Sequence, residues 1–164
     1  MVEFAREEAQ ELGDASVEPQ HLLLGLLRGG DGPAWTALRG AGVHLEAVRQ
    51  ELSATRAKEA ETDEHALPRG RPPVSPAARS SFEQSLREAV ARSDEHLGVE
   101  HVLLALICDR DGAAAQTIGR LGVPLGRLHR QLERVIRNRS TVRDRTEARD
   151  SSTVRDRTEA RDSH

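Results

Sequence analysis

The stretch Glu100-His101-Val102-Leu103-Leu104-Ala105-Leu106-Ile107 repeats a pattern laid down eighty residues earlier, Gln20-His21-Leu22-Leu23-Leu24-Gly25-Leu26-Leu27. Sliding the sequence on itself by eighty places, without a gap, aligns Phe4 to Leu52 with Gln84 to Leu132, and fourteen of the forty-nine positions are identical. They include Glu8/Glu88, Ala9/Ala89, His21/His101, Leu23/Leu103, Asp31/Asp111, Gly32/Gly112, Gly42/Gly122, Val43/Val123 and Leu45/Leu125. Ungapped self-similarity at a fixed offset is the mark of a duplicated structural unit. The quoted stretches are apolar nearly all round, so each is expected to be the central, buried helix of its unit.

Working outward, Val2 to Leu12 reads as a short helix ended by Gly13, with Phe4, Ala5, Ala9 and Leu12 on one side. Pro19 opens the second helix, to about Arg28; Pro33 opens a third, to about Arg39; and Leu45, Val48 and Leu52 line a fourth, to about Lys58. Residues 59–74 carry Pro68, Pro72 and Pro73 among charges and read as a surface connector. Ser75 then suits an N-cap and Pro76 a first helical position, and the second unit, residues 75–139, repeats the order of the first, residues 1–58. With no alternating β-branched run, the expected fold is all-α: two tandem four-helix repeats forming a pseudo-twofold eight-helix bundle. On the shift of eighty, Ser75 pairs with a position before Met1, so the first helix of the first repeat is truncated by nearly two turns, as a trimmed or misplaced start would leave it.

Residues 140–164 form a tail in which Ser140 to Ser151 recurs as Ser152 to Ser163, with six arginines against six acids. Its few apolar residues cannot repay the entropy of ordering, so disorder is expected there, with a solvated helical extension as the other possibility.

Composition bounds the function. Net charge is −3, from 24 basic and 27 acidic residues, which gives no long-range attraction to nucleic acid or anionic lipid. Lys58 is the sole lysine, is followed by Glu59 and has no glycine-rich run before it, so the sequence holds no Walker A loop. The lone Cys108 can form no internal disulfide, and the first residues lack the basic start and apolar run of a signal peptide. Apolar runs such as Val102 to Cys108 are far too short to span a bilayer, and the cytoplasm is the expected compartment.

Three blocks of sequence carry a resemblance: Leu12-Gly13 with Gln20 to Arg28 and Asp31-Gly32; Gly98-Val99-Glu100-His101 through Ile107 with Asp111-Gly112; and Leu121-Gly122-Val123. They resemble the two halves of the Clp amino-terminal (Clp R) repeat domain, whose signature is Gly-Thr-Glu-His followed by an apolar helix, an acidic-Gly turn and Leu-Gly-Val. The resemblance spans about residues 1–137. It implies the eight-helix bundle found at the front of ClpC- and ClpA-type unfoldases, in a stand-alone relative or an excised domain. Implied partners are Clp unfoldase or protease components, adaptors, arginine-phosphorylated proteins and cyclic-peptide antibiotics. In ClpC-type domains each half can hold phosphoarginine, with a Glu before the His on the guanidinium and a Thr-opened helix start on the phosphate. Carried over, the resemblance assigns Glu100, Ser75 and Arg79 to one site in the second repeat, and makes the first site, where Gln20 replaces the Glu, degenerate. A carboxylate suits a guanidinium, and free N–H groups at a helix start suit a phosphate.

The plainer readings stand beside these. Glu100 also fits a dipole-favoured acid near a helix start, and His21 and His101 lack companions at ligand spacing, which favours a structural role over a metal site. Cys108, ending an apolar helix, is expected to be buried and inert. No paired carboxylates, triad or cofactor motif supports an enzyme, and arginine content alone suggests a nucleic-acid-binding helical protein. The favoured function is a non-catalytic recognition module.

Overall fold

The computed structural model describes residues 1–60, 70–94 and 96–138. It contains α1 (Val2–Leu12), α2 (Pro19–Gly29), α3 (Gly32–Gly40), α4 (Leu45–Ala60), α5 (Pro76–Ala91), α6 (Val99–Cys108), α7 (Ala113–Arg120) and α8 (125–138). The order is that of two four-helix units, and no strand occurs among the described residues. The middle of the connector and the tail from Ser140 lie outside the described residues.

Helices α2 and α6 are central, as their all-round apolarity requires. Leu22, Leu23, Leu24, Leu103 and Leu104 are fully buried, and each such side chain is worth roughly 1.5–3 kcal/mol when removed from water. Helix α2 packs on α1, α3 and α4 of its own unit and on α7 of the other; α6 packs on α5 and α7 and reaches back to α3. The α2–α7 and α6–α3 contacts are images of each other under the eighty-residue shift, so the two units exchange helices and share one hydrophobic core. Close approach matters at Gly25, where a Cβ would stand 2.7 Å from the Met1 carbonyl oxygen and 3.1 Å from the Ala5 nitrogen.

The helix ends show where the copies diverge. Gly13 closes α1 at φ 72°, and its counterpart after α5 is Ser93 at φ 56°, the one non-glycine residue in the left-handed region among those described. The end of the connector exposes Gly70, Arg71 and Pro73 but is tied to the bundle: Pro72 is buried, and Val74 forms a parallel bridge with Val17. The Val17 N–H donates to the Pro73 carbonyl at 2.7 Å, and the Ser75 N–H to the Val17 carbonyl at 3.1 Å, which ties the start of α2 to the start of α5. Helix α1 has 11 residues against 16 in α5. No helix among the described residues is long and apolar enough to cross a membrane.

Candidate recognition site

Each repeat locks the start of its central helix with its histidine. The His21 Nδ1 accepts the Glu18 backbone N–H at 2.9 Å, and its Nε2 meets Asp14 Oδ2 at 2.9 Å. In the second repeat the Gly98 N–H donates to His101 Nδ1 at 3.0 Å, and Nε2 meets Asp94 Oδ2 at 2.8 Å. Because Nδ1 must accept, the proton of the neutral ring sits on Nε2 and is donated to the aspartate. Both rings are buried with both nitrogens engaged, so they hold backbone rather than metal. The partners Asp14 and Asp94 occupy equivalent positions eighty apart, so their pairing with the two histidines is legible in the repeat.

Beside His101, Glu100 is the second residue of α6 and is only 8% exposed. Its carboxylate folds back over Gly98: a Cβ at residue 98 would lie 2.4 Å from the carboxylate carbon and from both oxygens. The glycine of Gly98-Val99-Glu100-His101 is thus what allows the carboxylate its position. The first repeat has changed both members, with Glu18 in place of the glycine and Gln20 in place of the glutamate. Gln20 Oε1 is buried without a hydrogen-bond partner, beside a cleft of about 150 Å³ bordered by Asp14, Arg56 and Arg120.

Ser75 caps α5 as its sequence demands, Oγ accepting from the Ala78 N–H at 3.1 Å. The same hydroxyl donates to Glu18 Oε2 at 2.9 Å, while Ser16 Oγ donates to Glu18 Oε1 at 2.7 Å. Arg79 lies exposed one turn further along α5, at the same end of the helix.

The structure does not bring Ser75 and Glu100 together, which corrects their assignment to one site. Helices α5 and α6 are packed neighbours joined by a short loop, and at the loop end Asp94 holds His101, next to Glu100. Ser75 stands at the far end of α5, whose 16 residues span roughly 24 Å at about 1.5 Å per residue. In phosphoarginine the phosphate is bonded directly to the guanidinium, so the two groups need receptors a few ångströms apart. Glu18 and Ser75 satisfy that; Glu100 and Ser75 do not. Sequence spacing pairs residues within a repeat, whereas the parallel bridge pairs the helix starts across the repeats.

A second correction concerns Cys108, which is exposed at the end of α6 rather than buried. It borders a groove of about 510 Å³ against α5. Partial desolvation there, with the Glu88 carboxylate nearby, raises the thiol pKa, so the expected inertness follows from protonation instead of burial.

One strong electrostatic feature escaped sequence reading. Glu8 is 1% exposed, with Arg49 Nε donating to Oε2 at 2.8 Å and Arg28 Nη1 to Oε1 at 3.1 Å. Burial would raise its pKa, but the hydrogen bonds and charges of Arg49 and Arg28 outweigh it and hold the carboxyl below its ordinary value. The identity of Glu8 with Glu88 is visible in the sequence; the arginines, 20 and 41 residues away, are not.

The Clp repeat (R) N-terminal domain family matches residues 1–117 and again 74–157. The negative regulator of genetic competence ClpC/MecB of Bacillus subtilis (strain 168) is 33% identical over 140 residues, 84% of this chain and 16% of that protein. The chaperone protein ClpB of Oceanobacillus iheyensis is 31% identical over 134 residues, 79% of this chain and 15% of that protein. The chain therefore spans about one sixth of the length of these relatives. Among solved structures, the N-terminal domain of the Arabidopsis thaliana chaperone ClpD superposes with a TM-score of 0.68 at 22% identity, covering 83% of this chain and 89% of that one. With both halves of the bundle matched in order, the chain belongs to the Clp repeat (R) N-terminal domain family.

Proposed function

We propose that this chain is a non-catalytic recognition module of a Clp unfoldase system, working in the cytoplasm on protein substrates or adaptors. The observation that carries the reading is the doubled bundle itself: the family match runs through both repeats, and the polar groups repeated inside it are spent on holding helix starts. His21 and His101 each take a backbone N–H on Nδ1 and an aspartate, Asp14 or Asp94, on Nε2, so both nitrogens of each ring are used in structure. ATP hydrolysis and proteolysis would then belong to other modules or chains.

Within that reading, an arginine-phosphorylated segment is the ligand we propose for the junction of the two helix starts. Glu18 would take the guanidinium, the first turn of α5 behind Ser75 the phosphate, and exposed Arg79 would add charge. Support comes from the 2.9 Å contact of Ser75 with Glu18 and from the N-terminal end of a 16-residue helix. Titration calorimetry with phosphoarginine tests it. One site is expected, with Glu18→Gln weakening it roughly ten- to a hundredfold, since a charge-assisted hydrogen bond is worth about 1.5–3 kcal/mol. Loss of binding in Glu100→Gln with Glu18→Gln unaffected would return the site to the second repeat. Absence of phosphoarginine binding, with capture of an adaptor or a cyclic peptide, would make those the ligands.

A further inference from the structure

The outer face of α8 carries Arg127, Arg130, Arg134 and Arg137, all exposed. Their spacing puts them in one stripe, about 15 Å long at 1.5 Å per residue. Arg127, Arg130 and Arg134 have no ion-pair partner among the described residues. Glu133, the one acid of this helix, is held by Arg92, whose Nη1 donates to Oε2 at 2.9 Å.

The internal repeat shows that the fold does not require these arginines. In α4, the counterpart of α8, the same positions hold Ala47, Gln50, Ala54 and Ala57, while the inward Val48 and Leu52 match Leu128 and Leu132. The two arginines of α4 are neutralised, Arg49 on Glu8 and Glu46, Arg56 on Asp14. Unneutralised guanidinium groups one turn apart repel each other, and an anionic partner would relieve that.

Against this stripe the end of α3 forms a groove of about 400 Å³ bordered by Gly40, Arg127, Arg130, Arg134 and Val135. Exposed Arg39 adds a further cation beside it, stacked over the Trp35 ring at 5.1 Å.

We propose that this face docks an acidic segment of a protein partner, with carboxylates meeting Arg127, Arg130 and Arg134 along the groove, where the Gln131 carboxamide covers Gly40. Nucleic acid fits less well. The chain is net acidic with a pI of about 6.2, the stripe is short, and the one aromatic ring nearby is already covered by Arg39. The proposal rests on the recognition reading only in taking the partner to be a protein.

The test is fluorescence anisotropy of the full chain with a labelled glutamate-rich peptide about four helical turns long, against single-stranded DNA of equal charge. Salt-sensitive peptide binding is expected, weakened about tenfold or more by Arg127→Ala with Arg130→Gln and Arg134→Ala, the residues α4 already uses. The triple variant should unfold at an unchanged temperature, and Arg87→Gln on α5 should bind as the parent does. Peptide affinity unmoved by the triple change, or DNA bound more tightly than the peptide, would overturn the proposal. Phosphoarginine titration of the same triple variant should match the parent, so this reading and that of the Ser75 end fail separately.

Discussion

Replacing Glu8 by Gln keeps the volume of the side chain and removes the charge that Arg28 and Arg49 enclose. Deleting one partner of a fully buried ion pair costs about 3–5 kcal/mol, because the other charge is left stranded. Here the arginines are not stranded: their side chains are 30% and 29% exposed and can turn to water or to Glu7, Glu11 and Glu46. The loss should therefore approach that of the charge-assisted hydrogen bonds alone, about 1.5–3 kcal/mol. At about 4 °C per kcal/mol for a bundle of this size, the melting midpoint should fall by roughly 6–12 °C at neutral pH. The folded pKa of Glu8 lies below its ordinary 4.5, so its contribution is complete above the unfolded value and is lost as the pH falls through the folded one. Parent and variant, compared by urea unfolding across that range, should differ at neutral pH and converge in acid. A loss under about 0.5 kcal/mol at neutral pH, or a gap that persists below the folded pKa, would refute the assignment of this carboxylate as an ionised, structural anchor.

Ser93 holds a left-handed conformation that costs an L-residue about 1–2 kcal/mol, so Ser93→Gly should raise stability by about 0.5–1 kcal/mol in urea unfolding after the extra chain entropy of glycine. His101→Phe leaves the Gly98 N–H and Asp94 without their partner, and should cost about 2–4 kcal/mol and expose the start of α6 to amide exchange. Ser75→Ala removes the cap of α5 and should cost about 1 kcal/mol, read as a small drop in melting midpoint. Cys108, although exposed, should alkylate more slowly near neutral pH than a free cysteine, because its pKa is raised; a rate equal to that of a short peptide would contradict this.

Much of the fold is local chemistry and can be read from the chain. Apolar period, prolines at helix starts and glycines after helix ends place α1 to α8 within a residue or two, and the eighty-residue shift declares the duplication. The same shift identifies Glu8, Asp14 and His21 with Glu88, Asp94 and His101. What it leaves open is which equivalent residues meet, because an internal repeat specifies each unit and not how the units exchange surfaces. Counting along the second repeat pairs Ser75 with Glu100; packing instead sets α5 beside α6 with those residues at opposite ends, and the Val17–Val74 bridge delivers Glu18 of the first repeat to Ser75. Likewise, exposure at Cys108 and at the arginines of α8 depends on what the neighbouring helices cover, which no periodicity encodes. Secondary structure follows from bonds within four residues, so sequence determined it. The candidate site is formed by backbone pairing and side chains more than fifty residues apart, and only the tertiary structure, where burying α2 and α6 in one core forces those helix starts together, decided it.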